Sequence, residues 1–427
     1  MLFNKIYQLP ENKALLVSED LVYTTKDIKE CRENNLDLLS SLNEKVVALQ
    51  FKDNIDLAKW LILLDGIASS ILILPFDIQK ATLELFLEQA QCGFVLCEST
   101  INEQVSKGRQ LREVKTNWLI STSGTTSKPK LVSHNLMSLT NTIKVGSPNF
   151  VWASLYDLNR FSGIQVFLQA LCSGNKLVIK NGTTSLTQTI MLFQREKVTC
   201  VSGTPTYFRK LLMVKGFSSL PLKSISLGGE IAEQKLLSSL KSTFVGAKIR
   251  HIYASSEAGV GFSVNDGLAG FPLSYLEFNE DLPHLKIGPE GTLLIKSESS
   301  ASNYVNGANL IDENGFVDTG DLVEVKDGRC MFLGRASGII NVGGNKVVPE
   351  IIEEFLQSIQ GVNAAKVYGK NNSFVGEVVC ADIVLSTSLD TKTIRDYCKK
   401  GLAVHEQPVF IKIVDELDTT SSGKIKR

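Results

Sequence analysis

Residues 224–257 read SISLGGEIAEQKLLSSLKSTFVGAKIRHIYASSE, and this stretch decides the fold class. The apolar run Ser224–Leu227 ends in two glycines and the carboxylate of Glu230. A helical pattern over Gln234–Leu240 follows, then a second apolar run, Ile249–Tyr253, which ends in Ala-Ser-Ser and Glu257. Two short apolar runs joined through a helix predict parallel neighbours in one buried sheet, because a parallel pair needs a crossover of this kind. The same alternation extends outward. Val46–Phe51, Ile71–Leu74, Phe94–Cys97, Lys176–Lys180 and Val198–Ser202 read as further buried strands, and Leu57–Leu64 as a buried helix. The expected class is α/β, with substantially parallel sheets layered against helices.

At 427 residues the chain exceeds one ordinary core, so two or more domains are expected. Forty-five Lys plus Arg balance forty-five Asp plus Glu, which gives no electrostatic case for nucleic acid or an anionic membrane. The most apolar stretch, Leu61–Leu74, is interrupted by Asp65 and Gly66 and is shorter than the roughly 20 residues of a membrane span. The opening residues lack the features of a secretory signal, and eight cysteines are scattered without a C-x-x-C pair. Reduced thiols in a cytoplasmic protein are the expectation. The character changes after about Arg335, so a boundary near Arg335–Gly338 is expected between a large part, 1–335, and a small α+β domain, 336–427, although composition does not fix its place. In the latter, Pro349 opens a helix whose apolar face is Ile351, Ile352, Phe355, Leu356 and Ile359.

The densest chemical signal is Ser121-Thr-Ser-Gly-Thr-Thr-Ser-Lys-Pro-Lys130. Hydroxyls, a glycine and two lysines can turn donors toward an anion such as a triphosphate, although a solvated Ser/Thr-rich turn has the same composition. It is not a Walker A loop, since G-x-x-x-x-G-K-[ST] is absent. Gly229 and Glu230 close one predicted strand. At the end of the other, Tyr253 could stack on a base, with Ser256 nearby and Glu257 as an oxygen ligand for Mg²⁺. Exposed acids on tight turns are the alternative. Val317-Asp-Thr-Gly-Asp321 offers a carboxylate for ribose hydroxyls or an ordinary β-turn, and Arg335 a ribose or phosphate contact or a surface charge.

In this order the segments resemble the adenylate-forming superfamily of acyl-CoA synthetases, peptide-synthetase adenylation domains and beetle luciferases. Asn341-Val-Gly-Gly-Asn-Lys-Val-Val-Pro-Glu350 is similar to that family's mobile loop, and Ser422-Gly-Lys424 with Arg427 to its closing lysine motif. Val22–Ile28, Gly203-Thr-Pro-Thr206 and Gly291–Ile295 extend the likeness over nearly the whole chain. The resemblance implies that MgATP and a small carboxylic acid give an acyl-adenylate and pyrophosphate. Transfer to a thiol follows, coenzyme A or the phosphopantetheine of a separate acyl carrier protein. It implies Lys424 as the catalytic lysine, Thr122, Ser123, Gly124, Thr125, Thr126 and Lys130 as the phosphate loop, and Glu257 as the magnesium ligand. Ser256 would reach a phosphate, Tyr253, Gly229 and Glu230 would flank adenine, and Asp321 and Arg335 would hold ribose. Gly343 and Gly344 would line the thiol tunnel.

Ser127, Ala254, Ser256 and Ser337 depart from the family's commonest residues. In Ser154-Leu-Tyr-Asp-Leu-Asn-Arg-Phe-Ser-Gly163, Arg160 stands where many relatives carry histidine, three residues before Gly163. Arg160 therefore meets a second polar or acidic group on the substrate, or it pairs with Asp157. No acid matches the aspartate that grips an amino acid's amine, so a plain acyl or aryl acid is expected. A non-catalytic nucleotide-binding remnant of the ligase fold is the reading from another class.

Overall fold

The computed structural model describes residues 1–100, 111–122, 129–143, 149–280, 283–372 and 375–418. The chain divides into two compact units. One comprises Met1–Ala269, Phe278–His284 and Ile295–Val317; the other comprises Gly270–Glu277, Leu285–Leu294 and Asp318–Arg427.

Two largely parallel sheets form the first unit. The eight-stranded sheet runs in the order Gly259–Val264, Lys248–Ser255, Ser224–Gly228, Cys200–Gly203, Val151–Ser154, Lys176–Ile179, Ala14–Val17 and Val22–Thr24. All its pairings are parallel except those of its two edge strands. The six-stranded sheet has the order Asn303–Tyr304, Leu131–Asn135, Asn117–Ser121, Ser70–Ile73, Val46–Leu49 and Phe94–Leu96.

Strand periodicity explains the layering. Val47, Leu49, Ile71, Ile73, Trp118 and Ile120 face one core, whereas Ala48, Leu72 and Leu119 face another. The first of these cores also takes Leu16, Leu177 and Ile179 from the eight-stranded sheet. Between the sheets lie the helices Asn54–Leu64 and Phe161–Cys172, apolar almost all round because they are covered on both sides. The opposite face of the eight-stranded sheet packs on Leu186–Arg195, Pro205–Leu212 and Gln234–Thr243. The expected helix, turn and strand over Leu61–Leu74 are present, and Thr24 caps Thr25–Asn34 with a reciprocal bond to Asp27.

The second unit holds most of a five-stranded sheet, in the order Phe271–Pro272, Arg329–Arg335, Val317–Lys326, Thr292–Lys296 and His284–Ile287. Its other sheet contains the hairpin Ile340–Val342 and Asn345–Val347 and the long pair Val362–Asn372 and Gly376–Leu385. Pro349 opens the helix Pro349–Ser358 as expected, but Ile351 is 38% exposed and not on its apolar face. Ile352, Leu356 and Ile359 set that face, and residue 351 lies one position, about 100°, around the helix from it.

Candidate active site

The four parallel strands ending at Ser154, Gly203, Gly228 and Ser255 bring their carboxyl ends side by side, so the loops after them converge on one crest. Small residues are required there. A Cβ on Gly203 would lie 2.7 Å from the Leu155 side chain, and one on Gly228 3.2 Å from both the Ile252 carbonyl and the Tyr156 hydroxyl. That hydroxyl lies 2.7 Å from the Gly203 carbonyl oxygen and 3.1 Å from that of Gly228, with one proton to share between them. Burial, and then the Glu230 carboxylate, raise the Tyr156 pKa above the usual phenol range, so it stays a donor. Gly229 has φ +81° with no atom within 4 Å of a Cβ position. Glu230 accepts the Thr206 amide at 2.9 Å, which ties this carboxylate to the start of Pro205–Leu212.

On the next strand Tyr253 stacks on Phe262, with centroids 5.3 Å apart and planes at 14°. A base stacking on Tyr253 would use the face opposite Phe262. The Ser256 carbonyl receives a hydrogen bond from His134 Nε2 at 2.7 Å, and the Glu257 carbonyl receives the Ala301 amide at 2.9 Å. The Glu257 carboxylate acts on Tyr304, whose pKa is pushed up to about 12 by burial and then by that charge. Lys130 Nζ lies over the same ring, 4.7 Å from its centroid. Lys130, Tyr304 and Glu257 thus form one cluster at the crest.

The phosphate-loop segment is the connection between the antiparallel strands Asn117–Ser121 and Leu131–Asn135. Its neck is closed by the Thr122 amide donating to the Lys130 carbonyl at 2.9 Å. Arg160 reaches this neck: Nη1 donates to Ser121 Oγ at 3.2 Å. Asp157 contributes charge beside the buried Lys180 and beside Tyr207. Gly163 packs directly on the turn before it, since a Cβ there would fall 2.2 Å from the Asp157 carbonyl oxygen. Ser123, Gly124, Thr125, Thr126 and Ser127, and at the other end Ser422, Gly423, Lys424 and Arg427, lie outside the described residues.

Among the described residues no group of three or more His, Cys, Asp or Glu could hold a metal alone. Within the cluster only the Glu257 carboxylate could serve Mg²⁺ as an oxygen ligand, since the Lys130 ammonium has no lone pair and the Tyr304 phenol stays protonated. That ion is ordinarily held through one or two carboxylates plus substrate phosphates and water.

In the second unit, Asp321 and Arg335 face each other across the Val317–Lys326 and Arg329–Arg335 pair. Arg335 Nε lies 2.8 Å from Asp321 Oδ1, and its Nη1 donates to the Thr319 carbonyl at 2.9 Å. The segment 317–321 is strand rather than the ordinary β-turn its Asp and Gly content allows, with Gly320 at φ +67° taking the kink. Gly343 (φ +57°) and Gly344 (φ +87°) form the two-residue tip of the hairpin between Ile340–Val342 and Asn345–Val347. Positive φ at both positions is the signature of a type I′ turn.

His134, Tyr156 and Tyr304 were not singled out from sequence as site residues. Tyr156 lies within the quoted segment 154–163. His134 could have been flagged as a polar residue at an inward-facing strand position, since it is 1% exposed.

Residues 75–305 match the family model described as AMP-binding enzyme, and 351–424 match that of the AMP-binding enzyme C-terminal domain. The chain belongs to the AMP-binding enzyme family. It is similar to the 2-succinylbenzoate–CoA ligase of Listeria innocua, with 26% identity over 337 residues covering 73% of this chain and 69% of that protein. The corresponding ligase of Bacillus subtilis is 25% identical over 384 residues, covering 85% and 78%. The solved o-succinylbenzoate coenzyme A synthetase from Bacillus subtilis, in complex with its acyl-adenylate intermediate, superposes with a TM-score of 0.80. That alignment has 20% identity and covers 99% of this chain and 96% of that one. The same synthetase has been solved with ATP and a magnesium ion.

Proposed function

We propose that the protein is an AMP-forming acid–thiol ligase that activates a small carboxylic acid with ATP and passes the acyl group to coenzyme A. The observation that carries this reading is the crest itself. Gly228-Gly229, Tyr253, Ser256 and Glu257 end adjacent parallel strands, and Lys130 joins them through Tyr304. Membership of the AMP-binding family and likeness to CoA ligases support it.

In the first step a substrate carboxylate oxygen attacks the α-phosphorus of ATP. The new oxygen–phosphorus bond forms as the bond to the bridging oxygen breaks, and pyrophosphate leaves. Such transfers depend on positioning and on charge stabilisation rather than on a protein nucleophile. The segment 122–130 cradles the β- and γ-phosphates, with Lys130 supplying charge at its closed neck. Glu257 holds Mg²⁺, which when bound neutralises charge on the departing pyrophosphate. Tyr253 and Gly229 flank adenine, and Asp321, braced by Arg335, receives the ribose hydroxyls. Lys424, in the small domain expected over 336–427, would meet the α-phosphate and the attacking carboxylate. In the second step a thiolate attacks the acyl carbonyl and AMP leaves, with the Gly343-Gly344 tip lining the approach.

Arg160, at the neck of the phosphate loop, reads a second polar or acidic group on the acid. Arg160→Ala is expected to raise KM for the preferred acid about tenfold, the worth of one lost charge-assisted hydrogen bond, and to leave KM for ATP alone. An unchanged acid selectivity and KM would remove this role. The acceptor is tested by supplying the enzyme, ATP and acid with either coenzyme A or a set of purified phosphopantetheinylated carrier proteins. Thioester on coenzyme A is expected; thioester on a carrier alone would reassign the acceptor. Eight free cysteines agree with the reducing environment of the cytoplasm, where we place the reaction.

A further inference from the structure

His134 is buried in the strand that leaves the phosphate loop, and its ring meets three parts of the crest. Its Nε2 is 2.7 Å from the Ser256 carbonyl oxygen, and its Nδ1 is 3.1 Å from Ser138 Oγ. The ring centroid is 5.4 Å from that of Phe161, the residue after Arg160 and the first of the helix Phe161–Cys172. A carbonyl can only accept, so Nε2 carries the proton, and in the neutral ring Nδ1 is an acceptor facing the Ser138 hydroxyl, whose one proton it shares with the Asn135 carbonyl at 3.1 Å. Ser138 is itself fixed by a reciprocal cap with Asn135, so the imidazole is oriented from the side away from Ser256.

A second strap runs alongside. The Ala301 amide donates to the Glu257 carbonyl, and the Ser302 amide donates to the Ser133 carbonyl, each at 2.9 Å. Tyr304, on the same segment, pairs with Val132. The backbone of Ser256 and Glu257 is therefore held to residues 132–134 by a main-chain strap and by the side chain of His134. Residues 131–135 continue directly from Lys130, whose carbonyl accepts the Thr122 amide, so whatever fixes 256–257 to them fixes the Glu257 backbone relative to that neck.

We propose that His134 is a positioning residue: its Nε2–H bond to the Ser256 carbonyl holds the Ser256–Glu257 backbone to the strand Leu131–Asn135, and so places Glu257 where one cation is shared by its carboxylate and the triphosphate. It touches no reacting atom. The inference rests on the nucleotide reading of Glu257 and of the segment 121–130.

The test compares His134→Gln with His134→Asn. A glutamine amide can place its N–H near the Nε2 position, whereas the shorter asparagine reaches only the Nδ1 position and cannot bond Ser256. ATP affinity is measured by calorimetry with and without Mg²⁺, alongside thermal melting. In the unaltered protein Mg²⁺ is expected to tighten ATP binding. In His134→Gln that gain is retained within about threefold, and in His134→Asn it falls at least tenfold while metal-free ATP binding stays within about threefold. Equal retention of the Mg²⁺ gain in both variants overturns the proposal. So does equal loss in both, in step with a lowered melting temperature, which would make His134 a packing residue only. Absence of ATP binding by the unaltered protein would be a different failure, that of the nucleotide reading beneath it.

Discussion

Replacing Gly163 with alanine tests how tightly the acid side of the crest is built. A Cβ at this position would sit 2.2 Å from the Asp157 carbonyl oxygen, 2.7 Å from its carbonyl carbon and 2.9 Å from Leu158 Cα. Non-bonded heavy atoms settle at about 3.5–4.0 Å, so helix and turn must part by roughly 1 Å or more. All three atoms are backbone, so no side chain can swing aside. The same Asp157 carbonyl accepts the Arg160 amide at 3.1 Å, and the Arg160 carbonyl accepts the Ile164 amide at 3.0 Å. The displacement is thereby passed to Arg160. Overpacking of this kind costs about 1–3 kcal/mol of stability, and a 1 Å misplacement of a positioning element costs on the order of 10²-fold in rate. Gly163→Ala is therefore expected to lower kcat/KM for the acid about 100-fold in a coupled pyrophosphate-release assay, with KM for ATP changed less than threefold. Gly182→Ala, where a Cβ meets nothing within 4 Å, serves as the control and should behave as the unaltered protein. A Gly163→Ala protein with unaltered acid kinetics would refute the reasoning.

Two further outcomes follow from buried groups. His134 is held neutral by burial, its pKa lowered to about 4 from the ordinary 6.5, so the unfolded chain takes up that proton first as pH falls. Its share of stability is complete above pH 6.5 and is lost between there and about pH 4, on the order of 3 kcal/mol in all. Urea unfolding at pH 7 and pH 4.5 should show a smaller loss in His134→Gln; an identical loss would contradict it. Asp65, 3% exposed, accepts the Leu2 amide at 2.8 Å and the Trp118 indole N–H at 3.1 Å. Asp65→Ala strands both donors and should cost about 3 kcal/mol by the same method, whereas a cost below 1 kcal/mol would mean that the two donors find other partners.

Much of the architecture was legible because strand-length apolar runs alternate with helices, and that pattern admits few arrangements. The runs around Val46, Ile71, Ser224 and Ile249 are all strands of the first unit. The crest was legible too, since Gly-Gly-Glu and Ser-Ser-Glu follow apolar runs directly. Less legible were features set by tertiary pairing. Asp318–Asp321 has turn composition, yet it lies within the strand Val317–Lys326, whose ladder with Arg329–Arg335 begins at Asp321. Glu230 accepts the Thr206 amide from 24 residues away, a tie that no local window shows. The partners of His134 and Tyr304, Ser256 and Glu257 among them, come from distant strands, so no local window displays them.

The central claim is acid activation through an adenylate, and acid-dependent ATP–pyrophosphate exchange measures it most directly. Aryl, short-chain, medium-chain, hydroxy and amino acids would be compared in the unaltered protein and in Lys424→Ala. The account predicts exchange with one class of acyl or aryl acid, reduced about 10²–10³-fold in the lysine variant. Tight MgATP binding without exchange for any acid would contradict it and leave a nucleotide-binding remnant of the ligase fold.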